Sequence, residues 1–440
     1  MGFAKGKRWV SGMSAVAVAM GGMALSWSGA PAFAAAPVTL TISTWDSGAG
    51  LAAYKLGIKA FEKLHPNVRV AIQSVSSTYY LPKLLTEMAN GSAPDLMLVG
   101  DTNVNAFVNS GLLENLTPLF RQHKYGLNAA AYYPNVLNIG KVNGQQYFVP
   151  KDWADESVIY NKTMFQAAKL PLPKPGWTMS QFVHDAVALT KFKNGRVVQW
   201  GVQLPGTWLR AGLEYFVDAF GGHIISPNGK TVNGYLNSPA TTRAIEFYVG
   251  LYTHHNQISP TPQAMSGTFA KVDLFLTQRV AMEPTGPWNI STYRSDPHLN
   301  FGVAPMPVGP VHKPMTMAFW AGWGVYKHSP HLQLANELLA FFASQKWASI
   351  DSAWAMPALK GPTVGQMEKK VPVMQTFFAQ APYVQPLDVT RTRNWNKDVS
   401  PVLTNLIQQA VLQPKSSIPA LIHTAVQQID ANLAQSYQHG

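Results

Sequence analysis

The first hundred residues constrain the fold most, because strand-like and helix-like patterns alternate along them. In order they predict a strand at 38–45, a turn at 46–50, a helix at 51–64, a strand at 68–73, a helix at 80–90 and a strand at 95–99. The first strand alternates apolar and polar residues, and the first helix repeats apolar residues every three or four positions until Pro66. This order predicts an α/β domain with a mostly parallel sheet.

Polar and aromatic residues follow two of these strands directly. Trp45, Asp46 and Ser47 end the first strand, and Asp101 and Thr102 follow the strand at 95–99. In open α/β sheets ligands lie beyond the carboxyl ends of the strands, so we expect these residues at a binding cleft. For Asp46 an equally good interpretation is that it caps the helix that follows.

The remainder of the chain is long enough for a second lobe. A chain of 440 residues exceeds what one compact core usually holds. The clearest later elements are helices at 182–189, 241–252 and 331–343 and short strands at 301–304 and 323–326. The last hundred residues are predicted to be largely helical, and no internal repeat is found.

The N-terminus is typical of an exported protein. Lys5, Lys7 and Arg8 precede an uncharged, mostly apolar or small run at 10–25. Two A-x-A sites then span 32–36, so residues 1–36 are predicted to be a signal peptide. Glycine and serine break the apolar run, which is shorter than the roughly 20 residues of a spanning helix. No later stretch is long and apolar enough to span a bilayer, so we expect a soluble mature chain in the periplasm or outside the cell.

Composition excludes several classes of site. The chain has no cysteine, which excludes disulfides, thiolate metal sites, cysteine nucleophiles and a lipid-modified cysteine anchor. The formal net charge is +12, but the lysines and arginines beyond Arg8 are scattered singly. That pattern favours a solvated basic surface over a nucleic-acid groove. Phosphate loops, H-E-x-x-H and G-x-S-x-G are also absent, and we expect no metal and no cofactor.

Eight segments carry a family resemblance when they are taken in order. They are FEKLHPNVRV (61–70), GSAPDLMLVG (91–100), NSGLLENLTPLF (109–120), the run 142–173 beginning VNGQQYFVPKDW, the glycine pair 221–222, AMEPTGPWNI (281–290), FGVAPMPVGP (301–310) and the run 319–342 beginning FWAGWGVYKHSP. Together they resemble the maltose-type extracellular solute-binding proteins of ABC importers. Each segment alone is weak, whereas the ordered set is specific.

The resemblance implies two α/β lobes of the type II periplasmic binding fold, joined by a hinge, with the solute between them. We expect crossovers near 150–155, near 301–305 and around Ser344. The first lobe would comprise 37–152 and 305–345, and the second 153–304 and 346–440. The resemblance further implies a monomer that delivers a carbohydrate to the permease subunits of an importer, and not an enzyme.

It also implies further cleft residues. They are Asp152, Trp153, Trp208, Arg210, Trp288, Trp320, Gly322, Trp323, Arg391 and Trp395. Tyr79 is a further candidate for the cleft wall because it precedes a predicted helix. An aromatic ring beside a carboxylate suits a sugar, because the ring packs on C–H faces while the carboxylate accepts from hydroxyls. Core packing is the alternative for Tyr79 and for one of the tryptophans at 320 and 323.

Two other functions stay open. Arg391 and Arg393 could hold a phosphorylated polyol such as glycerol-3-phosphate or its diesters, because a guanidinium presents two donors to one anion. A secreted glycoside hydrolase would need two carboxylates, such as Asp152 with Glu156 or Asp46. Acceptors and aromatic residues outnumber cationic donors among the candidates, which favours a neutral sugar.

Overall fold

The computed structural model describes residues 37–205, 212–253, 257–352, 355–385 and 387–438. The predicted signal peptide lies outside these ranges. Within them, no helix combines the length and apolar character that crossing a bilayer requires. The mixture of helices and strands confirms the predicted α/β class.

Fourteen strands occur in the described residues. They are β1 (Val38–Thr44), β2 (Val68–Ser74), β3 (Leu96–Gly100), β4 (Lys141–Val142), β5 (Gln145–Gln146), β6 (Val149–Asp155), β7 (Ser157–Asn161), β8 (Lys191–Lys193), β9 (Arg196–Val202), β10 (Val280–Thr285), β11 (Phe301–Pro305), β12 (Thr316–Val325), β13 (Met356–Pro357) and β14 (Val384–Gln385). The strand predicted at 323–326 is therefore the end of a longer strand that begins at Thr316.

Eighteen α-helices occur in the same ranges. They are α1 (Gly48–Leu64), α2 (Ser77–Ala89), α3 (Val104–Asn109), α4 (Thr117–Arg121), α5 (Pro134–Ile139), α6 (Lys162–Ala167), α7 (Met179–Leu189), α8 (Leu213–Ala219), α9 (Pro239–Thr253), α10 (Pro262–Ser266), α11 (Ile290–Ser295), α12 (Leu332–Phe342), α13 (Gln345–Asp351), α14 (Pro362–Lys370), α15 (Met374–Ala379), α16 (Trp395–Asp398), α17 (Ser400–Leu412) and α18 (Ile418–Gln438).

The first sheet contains the predicted β-α-β-α-β unit. Its strand order is β13-β6-β12-β3-β1-β2, with β14 paired to β12, and β1 runs parallel to both β2 and β3. Helix α1 buries Tyr54, Ile58 and Phe61, as its periodicity predicts, and Tyr54 meets Trp323 of β12 edge-on, whereas Leu64 in the last turn is exposed. The carboxyl ends of β1 and β3 therefore meet at one edge of the sheet, where a cleft is expected.

The second sheet has five strands in the order β11-β7-β10-β9-β8. Strand β10 pairs antiparallel with β7 and parallel with β9. Side chains alternate across a strand, so Val158 joins one buried apolar cluster while its neighbour Ile159 joins another. This sheet is therefore covered by apolar side chains on both faces.

The chain passes between the sheets twice in the region of the predicted hinge. It leaves the first sheet after Asp155, enters the second at Ser157, and returns between Pro305 and Thr316. The lobe boundaries themselves stay a prediction. The strand pairing disagrees with one of them, because β13 pairs with β6 and β14 with β12 in the first sheet, although both were assigned to the second-lobe range 346–440.

Two adjacent carboxyl groups are buried at the first crossover. Asp155 and Glu156 are both fully buried. Gln380 donates to Asp155 Oδ2 at 2.5 Å and to Ser157 Oγ at 2.6 Å. Among the described residues neither carboxyl oxygen of Glu156 has a hydrogen-bond partner. Burial raises the pKa of Glu156 well above its ordinary value, and the neighbouring Asp155 raises it further.

We expect Glu156→Gln to flatten the dependence of stability on pH. Because the pKa of Glu156 is raised on folding, its contribution is fully present below the unfolded value of about 4.3 and is lost as the pH rises. Between pH 5.5 and 7 the free energy of unfolding should fall faster in the parent than in Glu156→Gln, by up to about 1.4 kcal/mol per pH unit. Urea unfolding at both pH values measures this. If the free energies of unfolding of the parent and of Glu156→Gln change equally between the two pH values, the idea of a buried, protonated Glu156 is contradicted. Glu368→Gln on α14 is the control.

Candidate functional site

A cavity of about 730 Å³ opens at the carboxyl ends of β1 and β3. Its aromatic lining residues are Trp45, Tyr80, Trp153, Trp288, Phe319, Trp320 and Trp395. Its polar and charged lining residues are Asp46, Asp101, Thr102, Asn103, Lys151, Asp152, Asn394, Asn396, Lys397 and Ser400. The volume lies in the range of small-molecule sites, and the mixture of large rings with a few polar groups is typical of them.

The cavity brings together nine of the residues expected at a cleft. They are Trp45, Asp46, Asp101, Thr102, Asp152, Trp153, Trp288, Trp320 and Trp395. Strand geometry explains the positions of four of them, because these residues follow two parallel strands that end at the same sheet edge: Trp45, Asp46, Asp101 and Thr102. Trp208 and Arg210 lie outside the described residues.

Five other expected residues do not line the cavity, namely Ser47, Tyr79, Gly322, Trp323 and Arg391. Ser47 is exposed at the start of α1, and Tyr79 is 70% exposed, whereas the next residue, Tyr80, faces the cavity. Gly322 and Trp323 are buried in β12 beyond a register shift at Ala321/Gly322.

Both arginines are held away from the cavity. Arg391 Nη1 lies 2.8 Å from Asp388 Oδ1 and donates to the carbonyl oxygen of Ile225 at 3.2 Å. Arg393 donates to the carbonyl oxygen of Ser436 at 3.1 Å and lies over the ring of Tyr437. Neither guanidinium lines the cavity, which removes the geometric basis for an arginine-held phosphate there.

A buried lysine at the cavity floor was missed by sequence reasoning. Lys151 is 3% exposed, and its Nζ contacts a carboxylate oxygen of Asp152, lies 3.7 Å from Asp351 Oδ2 and lies 4.0 Å from Asp46 Oδ2. Burial lowers the pKa of Lys151, but these carboxylates outweigh it and hold that pKa above its ordinary value. Lys151 is therefore a cation that organises three carboxylates. A Lys-Asp pair in the otherwise apolar stretch FVPKDW was the available signal.

The geometry also decides between the two interpretations of Asp46. Its carboxylate accepts a hydrogen bond from the Tyr54 hydroxyl at 2.9 Å and lies near Lys151. The N-cap position of α1 belongs to Ser47, whose side chain makes no capping hydrogen bond. Asp46 therefore points into the charged floor of the cavity and does not cap the helix.

The tryptophans differ in how much of each ring is available to a solute. Trp288 is 40% exposed and meets Phe319 edge-on at 5.9 Å between ring centroids. A Cβ at Gly286 would lie 2.0 Å from the Trp288 ring, so this close approach requires glycine. Trp45 is half-buried, while Trp153, Trp320 and Trp395 are buried apart from their cavity edges. Trp288 thus offers the largest ring surface.

A separate group in the described residues has the composition of a metal site. Asp218, His223 and Asp388 bring one ligand atom each within 4.8 Å of one another, away from the cavity. Asp388 already accepts from the backbone amide of Ile224 at 2.6 Å and pairs with Arg391. These contacts give Asp388 a structural role within the protein that does not require a metal ion.

Comparison with known proteins identifies the class that the sequence predicts, the extracellular solute-binding proteins. The family model of bacterial extracellular solute-binding proteins matches residues 45–349. A binding protein of Brucella abortus (strain 2308) is 23% identical over 295 residues, covering 66% of this chain and 68% of its own.

Solved structures share the fold. An ABC substrate-binding protein of Listeria monocytogenes in complex with cycloalternan has a TM-score of 0.74 at 22% identity, covering 90% of this chain and 99% of that one. The sugar-binding protein MalE of Xanthomonas citri has a TM-score of 0.75 at 21% identity, covering 91% and 98%. UgpB of Mycobacterium tuberculosis, in complex with glycerophosphocholine, has a TM-score of 0.74 at 20% identity, covering 91% and 99%. The fold is therefore the two-lobed one expected, and the chain belongs to the family of bacterial extracellular solute-binding proteins.

Proposed function

We propose that the mature chain captures a neutral carbohydrate in the cavity and delivers it to the permease of an ABC importer. The observation that carries the proposal is the half-exposed ring of Trp288 in a cavity lined by several carboxylates and amides. An aromatic face packs against apolar C–H groups, while Asp46, Asp101 and Asp152 accept hydrogen bonds from hydroxyls. The same proposal includes export by means of the signal peptide 1–36, a monomeric state and a hinge near Asp155.

The fold neighbours support a sugar without deciding between ligand classes. Proteins of this fold were solved with cycloalternan and with glycerophosphocholine. In this chain the carboxylates that line the cavity outnumber the two lysines, Lys151 and Lys397, and no described arginine lines it. An anionic ligand would meet like charge there, which favours the neutral sugar over the phosphorylated polyol.

A hydrolase is less well supported than a binding protein. The matching family consists of solute-binding proteins. Asp46 and Asp152 both lie within 4.0 Å of the Lys151 ammonium group, whereas the two carboxyl groups of a glycosidase flank the bond to be cleaved. Binding without turnover is therefore the proposed activity.

A thermal-shift screen with Trp288→Ala tests the proposal. We expect at least one sugar among maltose, glucose, trehalose and longer oligosaccharides to raise the melting temperature, with a gain of roughly 2.7 kcal/mol at 100 times the dissociation constant. Trp288→Ala should weaken binding of that sugar about 10- to 100-fold, because it removes the largest exposed ring of the cavity.

Tyr79→Ala is the matched control, since Tyr79 is an exposed aromatic residue outside the cavity. Its affinity for the sugar should equal that of the parent. Stabilisation by glycerol-3-phosphate or glycerophosphocholine alone would overturn the neutral-sugar proposal. Release of hydrolysed product, seen by chromatography of the recovered sugar, would overturn the assignment as a binding protein.

A further inference from the structure

One side chain connects the two walls of the cavity at its rim. Asn105 on α3 donates through Nδ2 to the carbonyl oxygens of Thr390 at 2.5 Å and Thr392 at 3.0 Å. Helix α3 begins directly after the lining residues 101–103, and Thr392 comes shortly before the lining residues 394–397. The contact therefore joins the segment after β3 to a segment nearly 300 residues later, where both border the cavity.

The donor is fixed to the first sheet. Val104 and Phe107 flank Asn105 in sequence and are buried in the same apolar cluster as Leu96 and Leu98 of β3. The backbone amide of Asn103 also donates to the carbonyl oxygen of Gly100 at 3.0 Å. Asn105 therefore moves with the β3 end of the cavity.

The acceptors are fixed to the other side. Asp388 accepts from the backbone amide of Ile224, and Arg391 donates to the carbonyl oxygen of Ile225, which ties the 388–392 segment to the loop after α8. Val389 and Trp395 are buried in the apolar cluster that contains Val158 of β7. Thr390 and Thr392 therefore move with the second sheet.

We propose that Asn105 is a latch that holds the two lobes together at the cavity mouth by donating both amide hydrogens across it. A primary amide is suited to this position, because its two N–H groups reach two carbonyl oxygens at once. An opening motion about the crossover near Asp155 must break both hydrogen bonds. The latch rests on the proposed closure of the lobes around a solute, but not on the identity of that solute.

The test measures the distance between the lobes with no solute added. The chain has no cysteine, so Lys59→Cys on α1 and Gln428→Cys on α18 give the only two spin-label sites, and both positions are exposed. Double electron–electron resonance then reports the distribution of distances between them. Asn105→Asp keeps the shape of the side chain but replaces the donor with a carboxylate that faces two carbonyl oxygens. We expect it to lower the ratio of closed to open molecules on the order of tenfold.

Asn109→Ala is the control, because Asn109 is an exposed asparagine on the same helix, four residues away. It should leave the distribution unchanged. If Asn105→Asp fails to fold by circular dichroism, Asn105→Ala removes the same donor and should shift the ratio in the same direction. Equal distributions for the parent and a folded Asn105 variant, or an equal shift in Asn109→Ala, would overturn the latch. Because no sugar is present, this outcome is independent of the carbohydrate screen.

Discussion

Replacing Lys151 by alanine is expected to lower the free energy of unfolding by about 3–5 kcal/mol near neutral pH. Lys151 is buried, and its ammonium group lies within 4.0 Å of carboxylate oxygens of Asp46, Asp152 and Asp351. Removing the shared cation leaves three neighbouring, mostly buried carboxyl groups without their common partner. Breaking a buried ion pair from one side is costly because the remaining charge stays buried.

The loss in Lys151→Ala should shrink as the pH falls. Burial already raises the pKa of Asp152 in the parent, and loss of the lysine, which lowers it, raises that pKa further, so the folded variant takes up a proton that the unfolded chain does not yet bind. Its stability relative to the parent therefore rises on acidification from pH 7 towards pH 5. Urea unfolding at the two pH values measures the change. Lys397→Ala is the control, since Lys397 lines the same cavity but is exposed. A loss below about 1 kcal/mol at pH 7 would contradict the proposed role of Lys151.

Trp323→Ala should lower the free energy of unfolding by about 3–5 kcal/mol and leave the affinity for the solute unchanged. Trp323 is 1% exposed. It stacks on Phe342 with 5.0 Å between ring centroids and meets Tyr54 edge-on at 5.4 Å. Truncating such a side chain leaves a cavity between β12 and the helices that cover it, which the packed surroundings fill only in part.

Trp288→Ala provides the matched comparison, because it is the same substitution at a half-exposed ring. We expect it to change the free energy of unfolding by less than half as much, while it weakens binding. Chemical denaturation and titration with the sugar identified by the screen measure the two properties separately. A Trp323→Ala protein that is as stable as the parent but has lost affinity would mean that Trp323 serves the site and not the core.

The sequence predicted the parts of the site that follow from strand order. Trp45, Asp46, Asp101 and Thr102 come after parallel strands, and the rule that ligands lie beyond strand ends needs no knowledge of packing. Trp323 could not be assigned in the same way. Strand β12 runs without interruption against β3, so alternation places Trp320 and Trp323 on opposite faces of the sheet, but the sequence does not show which of the two faces meets the cavity.

Interactions between segments that are distant in the chain could not be predicted from the sequence. Nothing near Lys151 in the chain indicates Asp351, which lies 200 residues later and reaches the lysine only in the folded protein. The pairing of β13 with β6 is equally remote, and short strands of two residues carry too little pattern to be found. Local periodicity predicted the elements, while tertiary contacts decided which side chains meet.

The cavity wall is assembled from eight stretches spread between Trp45 and Ser400. The ribosome therefore produces every strand of the first α/β unit long before the wall residues at 394–400 exist. Contacts between parts so distant in sequence are slow to form, because the chain must lose much conformational freedom before they are made. Binding competence is thus a property of the finished chain: a fragment that ends before residue 394 lacks one wall of the pocket, however well its first sheet folds.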